Sequence, residues 1–309
     1  MDTLKIEIDH KEAADYIVAR VQNFGVRKCV QGNKSKKEQK RRGYLRSVYY
    51  NVFGHGLYLQ WDIQPEEHWI PPHLVFQVHL SKFSTFKAFQ TWAKKVTGKA
   101  YPLLYVGKIK RLDCAIDVQM HINDVQAVTY QPRVRNSEQI KSKTKTVYFG
   151  TGKKRTRIYE KTLPEKDFDS SNRGSDAPKS GTRIEREFKG NKVLISSLQD
   201  VERLKTINPF AQIKTIPKKI LVDSSLPHKT KVQIWAFLYR VEEIGLQGAR
   251  KEFNQSGNFE RTIGRHLKGT PGLNLDELWQ HRINKFLGKK VKLPAPCSGY
   301  SVFSRGPNE

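Results

Sequence analysis

The chain has 309 residues, with 56 Lys plus Arg against 30 Asp plus Glu, a formal charge of +26, and 37% hydrophobic residues that include 15 Phe, 12 Tyr and 5 Trp. This length spans about two ordinary domains, and the apolar and aromatic content suffices for a buried core, which excludes a wholly disordered basic protein. Three scattered cysteines, Cys29, Cys114 and Cys297, exclude a disulfide framework and a Cys-rich zinc site, and no apolar run approaches the ~20 residues of a membrane span.

Residues 4–9 (LKIEID) alternate apolar and polar and predict a strand. The opening segment holds acids and no apolar core before a cleavage site, so no secretory signal is expected and the protein reads as cytoplasmic. Over 11–23, Ala13, Ala14, Ile17, Val18 and Val21 recur at helical spacing, and a short strand follows at 26–30. Residues 31–46 (QGNKSKKEQKRRGYLR) hold Lys34, Lys36, Lys37, Lys40, Arg41, Arg42 and Arg46 against the single acid Glu38. They read as a basic loop, either a solvated surface or a phosphate contact. Strands at 47–53 and 57–63 flank Gly54-His55-Gly56, a hairpin signature, with Leu57, Leu59 and Trp61 on one face. A strand at 73–80, an amphipathic helix at 86–96 with Phe86, Phe89 and Trp92 on one stripe, and a long strand at 108–120 come next. A second hairpin joins 144–150 to 155–162, a polar loop or flap covers 164–181, and a strand returns at 182–189. Beyond 194 the pattern turns helical, with helices predicted at 230–244, 259–267 and 275–287, the last capped by Asn274.

Strands that follow one another through hairpins predict an α+β fold: an antiparallel sheet with helices on one face, then a mainly helical C-terminal region. The expected domains are a β-rich part at 1–193, a helical part at 194–292 and a tail at 293–309.

Three segments could carry chemistry. On the strand RLDCAIDV, Asp113 and Asp117 project from one face while Cys114 and Ile116 point the other way. Such acids are costly unless compensated, either by a hard divalent ion (Mg²⁺ or Mn²⁺) or by Lys and Arg neighbours. The strand TRIEREF repeats the arrangement, with Arg183, Glu185 and Glu187 alternating against Ile184, Arg186 and Phe188. Between them, TVYFGTGKKRTRIYEK sets Arg157, Tyr159 and Lys161 on one strand face, and Lys141, Lys143, Lys145, Lys153, Lys154 and Arg155 add positive charge. Tyr159 there has three readings: an ordinary strand tyrosine, a residue that stacks on a base, or a nucleophile toward a phosphodiester. The segment 150–154 (GTGKK) lacks the full P-loop spacing, so NTP hydrolysis is not expected. His68, His73 and His79 read as structural or surface residues.

The ordered set RLDCAIDV, YFGTGKKRTRIYEK, TRIEREFK resembles the signature of the Rep_trans-type plasmid rolling-circle replication initiators, the replication initiation factor family. The resemblance covers roughly residues 108–190. It implies a metal-dependent, site-specific DNA nickase and ligase in which Tyr159 is the nucleophile and forms a 5′-phosphotyrosine. It implies basic positions holding the scissile phosphate at Arg157 and Lys161, and one divalent metal near Asp113 and Glu185, with Asp117 and Glu187 as further acids. The implied partners are double-stranded and single-stranded origin DNA, a second copy of the chain and a host helicase, and the implied location is with the plasmid in the cytoplasm. Origin recognition is expected from the helical C-terminal part, where 253–267 (FNQSGNFERTIGRHL) has a helix–turn–helix flavour that places Arg261 and Arg265 on its second helix. The alternatives are a related phage or mobile-element nickase and a DNA-binding regulator without catalysis.

Overall fold

The computed structural model describes residues 1–28, 44–63, 72–118, 120–122, 125–129, 133–139, 144–150, 153–162, 180–211, 213–217, 226–254 and 273–288. In chain order the strands and helices of the first part are β1 (Thr3–Ile8), α1 (Lys11–Phe24), β2 (Val26–Lys28), β3 (Tyr44–Val52), β4 (His55–Ile63), β5 (Leu74–His79), α2 (Phe86–Thr97), α3 (Tyr101–Val106) and β6 (Lys108–Val118). They continue with β7 (Val125–Thr129), β8 (Arg133–Gln139), β9 (Thr144–Phe149), β10 (Lys154–Thr162), β11 (Ser180–Lys189), β12 (Ile213–Pro217), α4 (His228–Asn254) and α5 (Leu275–Leu287). The α+β class holds, with antiparallel strand pairing, three helices before β6 and two in the C-terminal region.

The described chain divides into two compact units, each assembled from separate segments. Unit 1 takes residues 1–113, 188–207 and 282–309, and unit 2 takes 114–187 and 208–281. The elements β6, β11 and α5 each begin in one unit and end in the other.

Within unit 1 the strand order is β2-β3-β4-β5-β1-β6. Alternation decides which residues face the core: Leu4, Ile6 and Ile8 of β1, Leu57, Leu59 and Trp61 of β4, and Leu74, Phe76 and Val78 of β5 are all buried. Two helices supply matching stripes. In α1 the buried positions are Ala13, Ala14, Ile17, Val18 and Val21, and the His10 ring accepts from the Ala13 amide at the N-terminus. In α2 they are Phe86, Phe89, Trp92, Ala93, Val96 and Thr97, with Thr85 capping through the Ala88 amide at 3.1 Å. Trp92 Nε1 donates to the Val52 carbonyl at 2.8 Å and ties α2 to the end of β3.

The first hairpin differs from expectation by about two residues. Val52 pairs with His55, so the loop is Phe53-Gly54, with φ 48° and 82°. Two consecutive positive φ values give the backbone twist that a two-residue hairpin requires, and they outweigh the pull of Gly56 on the sequence reading. The basic loop is also shorter than expected: Tyr44 pairs with Ile63 and Arg46 with Trp61, which makes 44–46 the start of β3. Residues 31–43, most of the flap at 164–181 and the helix expected at 259–267 lie outside the described residues.

Within unit 2 the order is β6-β11-β10-β9-β8, and β12 pairs antiparallel with β7 from Ile213↔Thr129 to Pro217↔Val125. The C-terminal part thus contributes a strand as well as helices. The helix expected at 230–244 runs on to Asn254, and Ile234, Phe237, Leu238, Val241 and Ala249 form its buried stripe. Asn274 caps α5 as predicted: its Oδ1 accepts from the Glu277 amide and its Nδ2 donates to Glu277 Oε2, both at 3.1 Å. Among the described residues no helix is long and apolar enough to cross a membrane.

Candidate functional site

The candidate site is one face of β6, β11 and β10 in unit 2. Side chains two apart on a strand share a face, so Arg183, Glu185 and Glu187 of β11 stand beside Arg155, Arg157, Tyr159 and Lys161 of β10 and Asp117 of β6. On the opposite face Ile116, Ile158, Ile184 and Phe188 are buried and anchor the three strands. The sequence expectation of alternation is met on all three.

The two glutamates lie low with their cations above them, whereas Asp117 is 25% exposed over an Arg183 that is 7% exposed. Glu185 and Glu187 are each 1% exposed, whereas Arg155, Arg157 and Lys161 retain 36%, 26% and 30%. Tyr159 donates its hydroxyl to Glu185 Oε2 at 3.1 Å, and the Arg157 guanidinium pairs with Oε1 of the same carboxylate. Asp117 accepts from Arg183 Nε and Nη2 at 2.6 and 2.9 Å, a two-pronged contact, and from Lys161 Nζ at 3.2 Å. Glu187 meets Arg155 at 3.4 Å. Tyr148 of β9, directly opposite Arg157, has the Arg155 guanidinium 5.5 Å from its ring centre. The result is a row of carboxylates that fixes a tyrosine and its flanking cations while leaving those groups partly open.

Of the metal positions expected from the resemblance, Asp113 is placed in unit 1, fully buried, with Arg111 Nε and Nη2 donating to its two oxygens at 2.9 and 2.6 Å. Asp117, Glu185 and Glu187 lie on the same sheet face of unit 2, each against Arg or Lys. Among the described residues no group of three or more His, Cys, Asp or Glu gathers as a metal site. The donor chemistry is nevertheless the right kind. Mg²⁺ is commonly held by only one or two carboxylates when substrate phosphates complete its shell. Asp117 and Glu185, beside Lys161 and Tyr159, are the acids that could serve in that way.

Sequence reasoning offered Lys and Arg neighbours as one way to compensate these acids but did not say which cation meets which acid. Arg111 went unnamed although it stands two residues before Asp113 on the same strand (R-x-D), whereas Arg183 was placed on its strand face but its partner, Asp117 of β6, carries no sequence signal. Arg186, on the other face, is a structural group: it is 1% exposed, its Nη1 donates to the Pro209 carbonyl, and burial lowers its pKa to about 10. Cys114 is fully buried.

The positions expected to contact DNA are described in part. Lys153 is exposed in the β9–β10 turn, Lys154 and Arg155 are half-buried at the start of β10, and Lys145 sits on β9 opposite Glu138. Lys34, Lys36, Lys37, Lys40, Arg41, Arg42, Lys141, Lys143, Arg261 and Arg265 lie outside the described residues. Set against known proteins, the sequence matches no family model and no curated relative.

Proposed function

We propose that the protein is a DNA strand nickase and ligase that starts rolling-circle replication, with Tyr159 as its nucleophile. The observation that supports this reading is the Tyr159 hydroxyl donating to a buried Glu185 carboxylate between two partly exposed cations. An ordinary phenol, with a pKa near 10, must lose its proton to attack phosphorus. Glu185 is in hydrogen-bond reach to receive it, which satisfies the geometric requirement for a general base. Arg157 and Lys161, two residues either side of Tyr159, share its face and are suited to hold the scissile phosphate and offset charge on its oxygens. Attack forms an O–P bond from Tyr159 to the 5′-phosphate and breaks the P–O3′ bond, releasing a 3′-hydroxyl that takes up one proton. The phosphotyrosine keeps the energy of the phosphodiester, so the reverse attack by a 3′-hydroxyl reseals the strand and needs no NTP.

A divalent ion arriving with the DNA phosphate would be held by Glu185 and Asp117 and would supply further neutralisation of phosphate charge. Duplex and single-stranded origin DNA, a second copy of the chain and a helicase are the partners this reading calls for, and plasmid-associated cytoplasm is the corresponding location. A related phage or mobile-element nickase would use the same face in the same way.

The pairing of every acid on this face with a cation favours one other reading, a sequence-specific DNA-binding regulator in which the ladder is purely structural. Incubation with supercoiled DNA carrying the sequence that flanks this reading frame, with and without Mg²⁺, separates the two. Open circles that vanish in Tyr159→Phe support the nickase. Binding without open circles at any Mg²⁺ concentration leaves the regulator.

A further inference from the structure

We propose that unit 1 carries a second nucleic-acid contact, a stacking platform for single-stranded DNA built on Phe24 and Phe53 and held by Arg20, Lys95 and Lys99.

Two aromatic rings here are turned to solvent. Phe24 is 50% exposed at the end of α1, Phe53 is 37% exposed at the β3–β4 turn, and their ring centres lie 5.9 Å apart. Val26, the next side chain along the same edge, is 71% exposed. Phe53 also has φ 48°, a conformation that Asn or Gly adopts far more readily in a two-residue hairpin loop. A bulky ring kept at a strained loop tip with its surface in water serves no core, and strain of that kind clusters at binding sites.

Cations flank these rings and the neighbouring Tyr16. Lys95 Nζ stands 3.9 Å from the centre of the Phe53 ring, the Arg20 guanidinium 5.1 Å from that of Phe24, and Lys99 Nζ 5.0 Å from that of Tyr16. Residues 16–28, 51–56 and 86–100, which build this patch, contain no Asp or Glu. The patch is also rigid. Arg20 donates through Nε to the Val96 carbonyl at 3.1 Å and through Nη2 to the Lys95 carbonyl at 2.9 Å, locking α1 to the end of α2. Gly98 lets the chain pass there: it has φ 54°, and a Cβ would come 2.8 Å from the Tyr16 hydroxyl and 3.1 Å from Arg20 Nε.

Exposed rings beside an anchored arginine and two lysines, on segments without a carboxylate, complement a strand that offers unpaired bases and phosphates. Each ring accepts the face of any base, and the ammonium and guanidinium groups beside it meet the backbone. A duplex hides its base faces and gains only the charge contacts. The choice of DNA over RNA rests on the proposed nicking activity, whereas the platform itself does not depend on Tyr159.

The test uses the full chain and fluorescence anisotropy with an oligo(dT) of about 16 nucleotides and a duplex of the same length. The variant is Phe24→Ala with Phe53→Asn, because Asn removes the ring yet accepts the positive φ. The expected result is a roughly tenfold or greater loss of oligo(dT) affinity, a change of at most about twofold on duplex, and a melting temperature no lower than that of Phe24→Ala alone. Lys95→Gln should weaken oligo(dT) binding and flatten its salt dependence. Unchanged oligo(dT) affinity, an equal loss on single strand and duplex, or a change in the mass of the protein in solution would each overturn the platform. The last would assign the patch to self-association. Patch-dependent oligo(dT) binding by a protein that yields no open circles would sink only the nickase reading.

Discussion

Replacing Glu185 with Gln tests the chemistry and the architecture of the charged face together. The substitution keeps the side chain's volume, and its amide oxygen can still accept the Tyr159 hydroxyl, but the negative charge is lost. Glu185 is 1% exposed and its partner Arg157 only 26%, so the guanidinium would be left near the protein interior without this counter-charge. Removing one partner of a fully buried ion pair costs about 3–5 kcal/mol. The residual exposure of Arg157 lowers this to roughly 2–3 kcal/mol, because water screens what remains. For a unit of this size each kcal/mol moves the melting temperature by about 2–4 °C, so a fall of roughly 4–12 °C is expected, read by circular dichroism. Strand cleavage should fall by ~10²–10⁴, the usual contribution of a positioned base. The double variant with Tyr159→Phe should cleave no worse than Tyr159→Phe alone, since groups that act as one unit are not additive. A melting temperature within about 1 °C of the parent, together with unchanged cleavage, would refute both the buried pairing and the base assignment.

Other consequences follow from the same structure. His55 stacks on Phe83 at 4.1 Å and meets Trp92 edge-on, and burial holds its pKa below the ordinary 6.5. The unfolded chain therefore binds the proton more readily, stability falls as pH drops below 6.5, and His55→Gln should flatten that part of a pH-dependent denaturation series. Asn274→Ala removes the reciprocal cap with Glu277 and should cost about 1 kcal/mol in chemical denaturation, with Asn274→Ser restoring most of it. DNA binding should be steeply salt-dependent: segments 34–46 and 141–157 carry fourteen Lys or Arg against one Glu. If ~6–8 of them contact phosphates, affinity falls by ~10³ or more from about 50 to 200 mM salt, and a shallow slope in a filter-binding titration would contradict this.

The elements legible in the sequence were those whose period is written in apolar side chains. The stripe Ala13-Ala14-Ile17-Val18-Val21 fixes α1, the alternation of Leu57, Leu59 and Trp61 fixes β4, and both reappear as buried positions. The strand β8 (RVRNSEQ) escaped because it has hardly any apolar alternation; it is defined by pairing with β9, from Arg133↔Phe149 to Gln139↔Thr144. The turn at Phe53-Gly54 was displaced because residue type pointed to the glycines, whereas strand register decides where a two-residue loop falls. On the charged face, alternation placed Arg157, Tyr159, Lys161, Asp117, Glu185 and Glu187 correctly within their own strands. What it could not supply is which acid meets which cation, since Lys161 and Arg183 reach Asp117 across strand neighbours far apart in sequence. Asp113 looked equivalent to Asp117 by spacing, yet Arg111 two residues before it takes both of its oxygens.

The proposed chemistry joins Tyr159 covalently to DNA. The most direct measurement is peptide mass spectrometry on protein incubated with Mg²⁺ and supercoiled DNA carrying the flanking sequence of its own reading frame, after nuclease digestion. The expected product is a peptide containing residues 158–161 that carries the added mass of a 5′-linked nucleotide on Tyr159 and is lost in Tyr159→Phe. Cleaved DNA with the modification on Tyr148, or with no tyrosine modified at all, would contradict it.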